Sequence, residues 1–459
     1  NKNPVKPAHW PYEQQSTLPA LHAKSRVTNR VEPNCKDSGV LPNIRKKNKL
    51  NNVGVHQDQK PVSQGYRTKK EKLPELINPP SLSNKQQQKK QLEVDSFPLS
   101  PTVVLECFGK NMTKFEQYEI SHYSELWYLG HITKNGGPDT TLKNPGYGDR
   151  TGTYTKVMHD HIAYRYEVLE ELGQGSYGEV YKCLDHKTSE MVAVKVLRPN
   201  RAILEELKIL DFLKKKDKNN CYNIVHMKDY FTFRNQLCII FELLGPNLYE
   251  FIKSHKHKRL SLAQVRHIAR EMLTCLSMLE NEKIIHGDLK PENIALSLTN
   301  QGGIKVIDFG MSCYEPLQKI ACIGTHVYRA PEVIVRKHYT TAVDMWSLGC
   351  ILFELYAGQP LFFGQDEVDQ MSLIMEVLGY PPAEYIKRRK ELFFDCYGRP
   401  IRIINHNGRP RIPGSKNLSR ILNTDNELFL DFLNRCLTWN PTMRLSAKEA
   451  LQHPWIQEG

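Results

Sequence analysis

The sequence predicts an α+β chain with two lobes of unlike character, a sheet-rich one followed by a helical one. Between residues 164 and 200 short apolar runs alternate with turn residues. Tyr164-Arg165-Tyr166-Glu167-Val168-Leu169 has the period-two alternation of a strand leading into a glycine cluster. From residue 261 onward apolar residues recur at helical spacing, as in the runs from Leu262 to Leu279 and from Val368 to Leu378. Upstream, residues 1–98 are rich in Asn, Gln, Lys, Pro and Ser without sustained apolar patterning, the composition of a disordered tail. Order resumes near Ser100. Thr113 to Ile120 is expected to be helical and Glu125 to Gly130 a short apolar element, while Gly136-Gly137-Pro138 and Pro145-Gly146-Tyr147-Gly148 mark turns. The expected organisation is a basic tail over 1–98, an accessory region over 99–165 and a two-lobed domain over 166–456, with lobes 166–244 and 245–456.

With 459 residues, 40% of them hydrophobic, the chain can bury a substantial core in two or three domains. No run approaches the ~18–20 consecutive apolar residues of a transmembrane helix, so no membrane span is expected. The chain opens Asn1-Lys2-Asn3-Pro4 with neither a methionine nor an apolar signal core, as a trimmed or partial sequence would. Its eleven cysteines, an odd number without paired metal spacing, suit reduced cytosolic or nuclear thiols. The net charge of +13 is uneven, because residues 1–100 hold 18 Lys/Arg against 8 Asp/Glu. Within that tail, Arg45-Lys46-Lys47-Asn48-Lys49 and Arg67-Thr68-Lys69-Lys70 fit either a solvated charge run or a patch for nuclear import or polyanions. No aromatic stacking platform accompanies these lysines, which argues against nucleic acid as a partner. A monomer in the cytoplasm, with access to the nucleus, is the expected state.

Three motifs then follow in order. Gly173-Gln174-Gly175-Ser176-Tyr177-Gly178-Glu179-Val180 comes first, His286-Gly287-Asp288-Leu289-Lys290-Pro291-Glu292-Asn293 second, and Asp308-Phe309-Gly310 third. Val192-Ala193-Val194-Lys195 stands behind the glycines and Ala330-Pro331-Glu332 closes the set. A glycine triplet alone is weak evidence, since an ordinary hairpin has the same composition. Five motifs in this order and spacing resemble the protein-kinase signature almost motif for motif. The resemblance implies a bilobal kinase fold, ATP and Mg²⁺ as cofactors, and proteins as substrates.

Phosphoryl transfer demands positioning and charge neutralisation more than covalent chemistry. Gly173, Gly175 and Gly178 free a strand–turn–strand backbone to approach phosphates without Cβ clashes. Lys195 lies in an apolar strand, Met191 to Leu197, where an unpaired ammonium is costly. In the next helix Ile203, Glu206, Leu210 and Leu213 share one stripe, at offsets of three, four and three. A carboxylate on that face also needs a partner, so Lys195–Glu206 is the expected pair orienting the α- and β-phosphates, and Glu205 points elsewhere. Asp288 is suited to accept, or at least orient, the proton of a substrate hydroxyl. Lys290 reaches the transferring phosphate, and Asn293 and Asp308 offer hard oxygen ligands to Mg²⁺. By the same resemblance Leu172, Gln174, Ser176, Tyr177, Val180 and Ala193 surround the nucleotide. Glu242-Leu243-Leu244 forms the hinge, with Phe241 guarding the adenine pocket. Glu332 is expected to pair with Arg444, and Asp344 to cap the catalytic loop, both as structural devices.

The resemblance narrows outside these motifs. His159-Asp160-His161-Ile162-Ala163-Tyr164-Arg165-Tyr166-Glu167-Val168-Leu169, Asn223-Ile224-Val225-His226-Met227 and Phe241 to Leu244 resemble dual-specificity tyrosine-phosphorylation-regulated kinases. So does Val306-Ile307-Asp308-Phe309-Gly310 followed by Ser312-Cys313-Tyr314-Glu315. Residues 100–158 are similar to the accessory region of that family's class II branch. Such kinases phosphorylate Ser/Thr, often near proline and arginine, and activate themselves by phosphorylating the second tyrosine of a Tyr-x-Tyr. Here that segment reads Ile320-Ala321-Cys322-Ile323-Gly324-Thr325-His326-Val327-Tyr328-Arg329. Cys322 stands at the tyrosine, Ile320 at its companion, and His326 at an arginine that related kinases use to grip the phosphate. Gly287 replaces the arginine that many kinases outside this family place before the catalytic aspartate. A phosphotyrosine is useful only where guanidinium groups neutralise it, so phosphate-independent activation is expected, with Arg329 bracing the loop.

Two further departures carry expectations. Only eleven positions separate Lys195 from Glu206, about four fewer than the family pattern, so the helix start is expected to be clipped. Met311 replaces the serine that usually follows Asp-Phe-Gly, and its bulk favours serine over branched threonine as acceptor. The leading expectation is therefore a protein serine/threonine kinase whose tyrosine autophosphorylation the loop puts in question. The competing reading is a pseudokinase or nucleotide-binding scaffold. The clipped helix and lost tyrosine favour it, and the intact Lys195, Asp288, Asn293 and Asp308 oppose it.

Overall fold

The computed structural model describes residues 97–130, 157–175, 178–198, 201–254, 259–300, 302–315, 323–387, 390–395, 399–401, 404, 408 and 410–458. The basic runs of the tail, the turns over 136–148, Ser176, Tyr177 and Ile320 to Cys322 lie outside them.

The sheet-rich lobe is a six-stranded antiparallel sheet in the order β1-β2-β3-β4-β6-β5. Its strands are β1 (His161–Ile162), β2 (Tyr166–Gly175), β3 (Gly178–Asp185), β4 (Glu190–Leu197), β5 (Met227–Phe233) and β6 (Gln236–Glu242). Alternation along these strands divides the lobe chemically. Val192, Val194 and Val196 of β4 join Tyr181, Cys183, Cys238 and Ile240 in a core on one face. Ala193 and Leu197 face the other way, toward the main core with Ile239 and Phe241. Lys195 shares that second parity and so faces the cleft. A single-residue slip of β4 would exchange the two sets.

The accessory region folds as α1 (Pro101–Phe108) and α2 (Lys114–Glu119). Thr113 and Glu116 cap α2 reciprocally, satisfying two N-terminal amides. Leu99, Val104, Ile120, Leu126 and Leu129 form a small core around Tyr164. Tyr164 explains why β2 begins at Tyr166 and not at Tyr164. Its backbone is left-handed, φ 52°, which turns the chain so that its hydroxyl donates to Glu119 at 2.6 Å. Arg234, in the β5–β6 turn, also clasps Glu119, at 2.8 and 3.1 Å. The stretch Glu125 to Gly130 makes only a bridge between Leu126 and Leu99, with Trp127 and Tyr128 donating main-chain bonds to the Tyr164 carbonyl.

In the sheet lobe, α3 (Arg201–Lys216) follows β4, and the helical lobe begins with α4 (Leu248–Ser254) and α5 (Leu262–Asn281). The Ser261–Gln264 capping box starts α5, which buries Val265, Ala269, Met272, Leu273 and Leu276. Short strands β7 (Ile284–Ile285), β8 (Ile294–Leu296), β9 (Ile304–Val306) and β10 (Cys313–Tyr314) carry the loops of the cleft. Beyond them lie α6 (Pro331–Ile334), α7 (Ala342–Ala357) and α8 (Glu367–Leu378). Apolar on nearly all sides, α7 is the buried axis of the lobe. Among the described residues, no helix is long and apolar enough to cross a membrane.

Candidate active site

Lys195 Nζ lies 2.6 Å from Glu206 Oε1 and 2.9 Å from Asp308 Oδ1, with Glu206 3% exposed. Helix α3 begins at Arg201, so Glu206 sits in its second turn and the short connection still delivers the pair. Ile203, Leu210 and Leu213 bury the same stripe, while Glu205 faces solvent and pairs with Lys208. Burial pulls the Lys195 ammonium down, but Asp308 and Glu206 outweigh it and hold it above the usual lysine range. Burial pushes the Glu206 carboxyl up despite Lys195. Asp308 is held below the usual carboxylate range, Lys195 overcoming the effect of burial.

Asp288 hangs beyond β7 with its carboxylate fully engaged. Oδ1 accepts the Thr325 amide and hydroxyl, both at 2.7 Å, and Oδ2 accepts Lys290 Nζ at 2.7 Å. Asn293 donates to the Asp288 carbonyl at 2.9 Å, and Lys290 also reaches the Thr325 hydroxyl at 3.1 Å. The loop backbone is fixed from behind. Asp344 accepts the His286 and Gly287 amides at 2.8 and 3.0 Å, its carboxyl pushed up by complete burial. His286 bridges the loops, accepting the Asp288 amide at Nδ1 and donating to the Ile307 carbonyl at 3.1 Å through Nε2. The Ile307 amide in turn donates to the Asn293 carbonyl at 2.9 Å. Asp288 and Asn293 therefore belong to one hydrogen-bonded unit with Ile307, the residue immediately before Asp308.

Of the three glycines, Gly178 has a packing reason, since a Cβ there would collide with the Val196 carbonyl. Among the described residues, nothing crowds a Cβ at Gly173 and one at Gly175 nears only the Gly178 carbonyl, which leaves room for a ligand to approach the backbone. Leu172 is exposed, Val180 and Ala193 are half-buried, and Phe241 is buried beside Ala193 in the β4–β6 register. Gln174 Nε2 donates to Glu179 at 3.4 Å. Glu242 requires a refinement. Its carboxylate accepts the His226 amide at 2.7 Å and approaches Lys305 at 3.6 Å, so at the hinge its main chain is what remains for a nucleotide, with Leu243 and Leu244 following it.

Glu332 and Arg444 form a bidentate pair at 2.8 and 3.1 Å with both side chains wholly buried. Arg329 donates to the Ile323 and Gly324 carbonyls at 3.0 and 2.6 Å. Gly324 has φ +80° and approaches Gly287, also at φ +80°, so closely that a Cβ on Gly324 would lie 2.9 Å from the Gly287 carbonyl oxygen. A Cβ on Gly287 would lie 3.3 Å from the Ile323 side chain.

Sequence reasoning missed four residues. Thr325 binds Asp288, and the only signal was a hydroxyl next to a glycine. Glu354, on α7, accepts the Tyr328 hydroxyl at 2.6 Å, and burial pushes its carboxyl up. Glu292 Oε2 is shielded from solvent without a hydrogen bond among the described residues, and its charge acts on both Glu354 and Tyr328. Lys305, a lone cation in an apolar strand, was the fourth.

The protein kinase domain profile matches residues 166–456. The chain is 51% identical over 368 residues to dual specificity tyrosine-phosphorylation-regulated kinase 4 of Homo sapiens, covering 78% of this chain and 71% of that one. It is 46% identical over 370 residues to kinase 2 of that name from Drosophila melanogaster, covering 78% and 51%. To the kinase mbk-2 of Caenorhabditis elegans it is 43% identical over 381 residues, covering 78% and 47%. The chain thus spans about half the length of the fly and worm relatives. With a kinase-domain match over most of its length and these relatives, the chain is a protein kinase belonging to the dual-specificity tyrosine-phosphorylation-regulated family.

Proposed function

We propose that this chain transfers the γ-phosphate of ATP to protein serines, and less readily threonines, flanked by arginine and proline, without a phosphotyrosine in its activation segment. The observation that carries the proposal is that Asp288 and Asn293 are hydrogen-bonded to Ile307 beside Asp308, while Asp308 itself meets Lys195 of the Lys195–Glu206 pair. Lys195, held charged by two carboxylates, offers its ammonium to the phosphates. Asp288, immobilised by Thr325, Lys290 and Asn293, orients the acceptor hydroxyl and takes its proton. Lys290 stands beside that carboxylate, where negative charge passes from donor to acceptor. The Asp308 side chain is 42% exposed and ionised well below neutrality, and with the Asn293 amide oxygen it suits a hard cation. When bound, Mg²⁺ neutralises the phosphate oxygens, and Asn293 and Asp308 would hold it.

Substrate preference follows from two subsites. Arg329 occupies the Gly324 carbonyl, withdrawing it from a substrate backbone, so a residue without an N–H loses nothing after the acceptor. We assign the arginine subsite to Glu292, whose buried Oε2 has no hydrogen-bond partner among the described residues, with Glu354 behind it engaged by the Tyr328 hydroxyl. The preference for serine rests on the bulk of Met311, which follows Asp308-Phe309-Gly310, on the reading that it flanks the acceptor. Phosphate independence is supported by what holds the segment, namely Ile323 buried against Gly287, the strain-free left-handed Gly324, Arg329 on two carbonyls and Thr325 on Asp288. Unpaired cysteines among the described residues support a reducing compartment, the cytoplasm with access to the nucleus.

Steady-state transfer to serine peptides differing only in the arginine or the proline tests this reading. Wild type should lose about tenfold or more in kcat/KM when the arginine becomes alanine, and Glu292→Ala should abolish that discrimination while leaving the proline effect. Equal rates on all peptides would contradict it.

A further inference from the structure

Lys305 is 5% exposed and sits in the centre of β9, paired with Ala295 of β8. Nothing in the transfer mechanism uses it, yet burying an ammonium is costly unless it is fully matched. Its Nζ donates to Asn220 Oδ1, donates to the Ile224 carbonyl at 3.2 Å, and lies 3.6 Å from Glu242 Oε1. These partners come from separate elements: the loop between α3 and β5, and the hinge end of β6.

The surrounding main chain makes the connection rigid. Val306, next to Lys305, donates to the Asn223 carbonyl at 2.8 Å and accepts the Val225 amide at 3.0 Å. Glu242 is tied twice to His226, through its amide at 3.0 Å and its carboxylate at 2.7 Å. Three residues beyond Lys305 stands Asp308, on the phosphate side of the cleft. One buried cation therefore spans the segment carrying the hinge and the strand carrying the metal-side carboxylate.

We propose that Lys305 is a positioning residue for nucleotide binding, acting through Glu242 to hold the hinge in register with Asp308. The inference rests on the nucleotide reading of the cleft. Removing the ammonium leaves the Glu242 carboxylate facing a neutral neighbour, so the hinge main chain shifts while Asp288 and the activation segment keep their own partners. The loss falls on ATP affinity, with the chemistry and the peptide site spared.

The test is a cycle on the full chain with Lys305→Met, Glu242→Gln and the double variant, measuring KM for ATP, KM for peptide, kcat and melting temperature. The expected result is a KM for ATP raised about tenfold in Lys305→Met, with kcat and peptide KM within about twofold of wild type. Glu242→Gln in that background should add little, because both changes break one interaction. Unchanged KM for ATP, or effects that simply add, would overturn the proposal, as would a loss confined to kcat and melting temperature. Should Lys305→Met fail to fold, Glu242→Gln alone decides the matter, with raised KM for ATP at unaltered kcat supporting it and unchanged KM overturning it. Wild type that binds no ATP would instead refute the nucleotide reading itself.

Discussion

Two buried cation–carboxylate pairs, one in each lobe, use the same chemistry to opposite ends. Arg444 and Glu332 are sealed from solvent on both sides. The remaining guanidinium donors go to the Ala342 carbonyl at 2.7 Å and the Thr438 carbonyl at 2.9 and 3.2 Å, and Trp346 covers its face. Lys195 and Glu206 are buried nearly as well, but Lys195 holds a further carboxylate, Asp308, whose side chain opens to the cleft. The closed pair has every valence spent inside the fold. The open pair keeps a charge that can exchange one partner for a phosphate. Burial alone does not separate structure from function here; the exposure of the third partner does.

The largest expected effect breaks the closed pair. Arg444→Met leaves Glu332 buried without a partner and should cost about 3–5 kcal/mol of stability, read as a lowered denaturation midpoint. Activity should fall only with the folded fraction. Lys195→Met should do the reverse, lowering kcat/KM by about 10²–10³-fold while changing stability by less than about 2 kcal/mol. Glu206, already pushed up by burial, neutralises readily when its partner goes. A Lys195 variant that melts like the Arg444 variant would erase the distinction.

The same pair carries a pH signature. Lys195 is raised by Asp308 and Glu206 against burial, so its contribution is present below the unfolded lysine value and is lost as pH rises through the folded one. Asp308 is depressed, so its contribution is present above the unfolded carboxyl value and is lost as pH falls through the folded one. Stability profiles should show a decline above about pH 10.5 that Lys195→Met lacks, and a decline below about pH 4 that Asp308→Asn lacks. The smallest effect concerns the acceptor. Met311→Ser should shift the serine-to-threonine rate ratio toward threonine by about tenfold or less, measured with paired peptides.

Much of this site was legible because each motif residue conflicts with its local surroundings. Lys195 interrupts the valines of β4, and Glu206 interrupts an apolar stripe, so each announces a missing partner. Asp344 and Glu332 were legible in the same way, as acids inside apolar helices. Apart from Lys305, whose conflict with β9 went unread, the hidden residues lack that conflict or act through backbone. Thr325 works through a hydroxyl and an amide, whose placement depends on two left-handed glycines 37 residues apart in sequence; Arg329, expected to brace the loop, does so through two carbonyls. Glu292 and Glu354 come from different elements and meet only in the folded lobe. The start of β2 was misjudged because Tyr164 reads as a strand residue, whereas its phenol is needed by Glu119 in the accessory region. The sequence spacing predicts a clipped start for α3; the helix runs from Arg201, and its position is what lets Glu206 reach Lys195.

The measurement that bears most directly on the account is phosphoryl transfer by dephosphorylated protein, with intact mass recorded on the same sample, comparing wild type with Asp288→Asn. The account predicts transfer to an arginine- and proline-flanked serine peptide by protein carrying no phosphate, and its loss in the variant. Transfer that begins only after the activation segment acquires a phosphate, or that survives in Asp288→Asn, would contradict it.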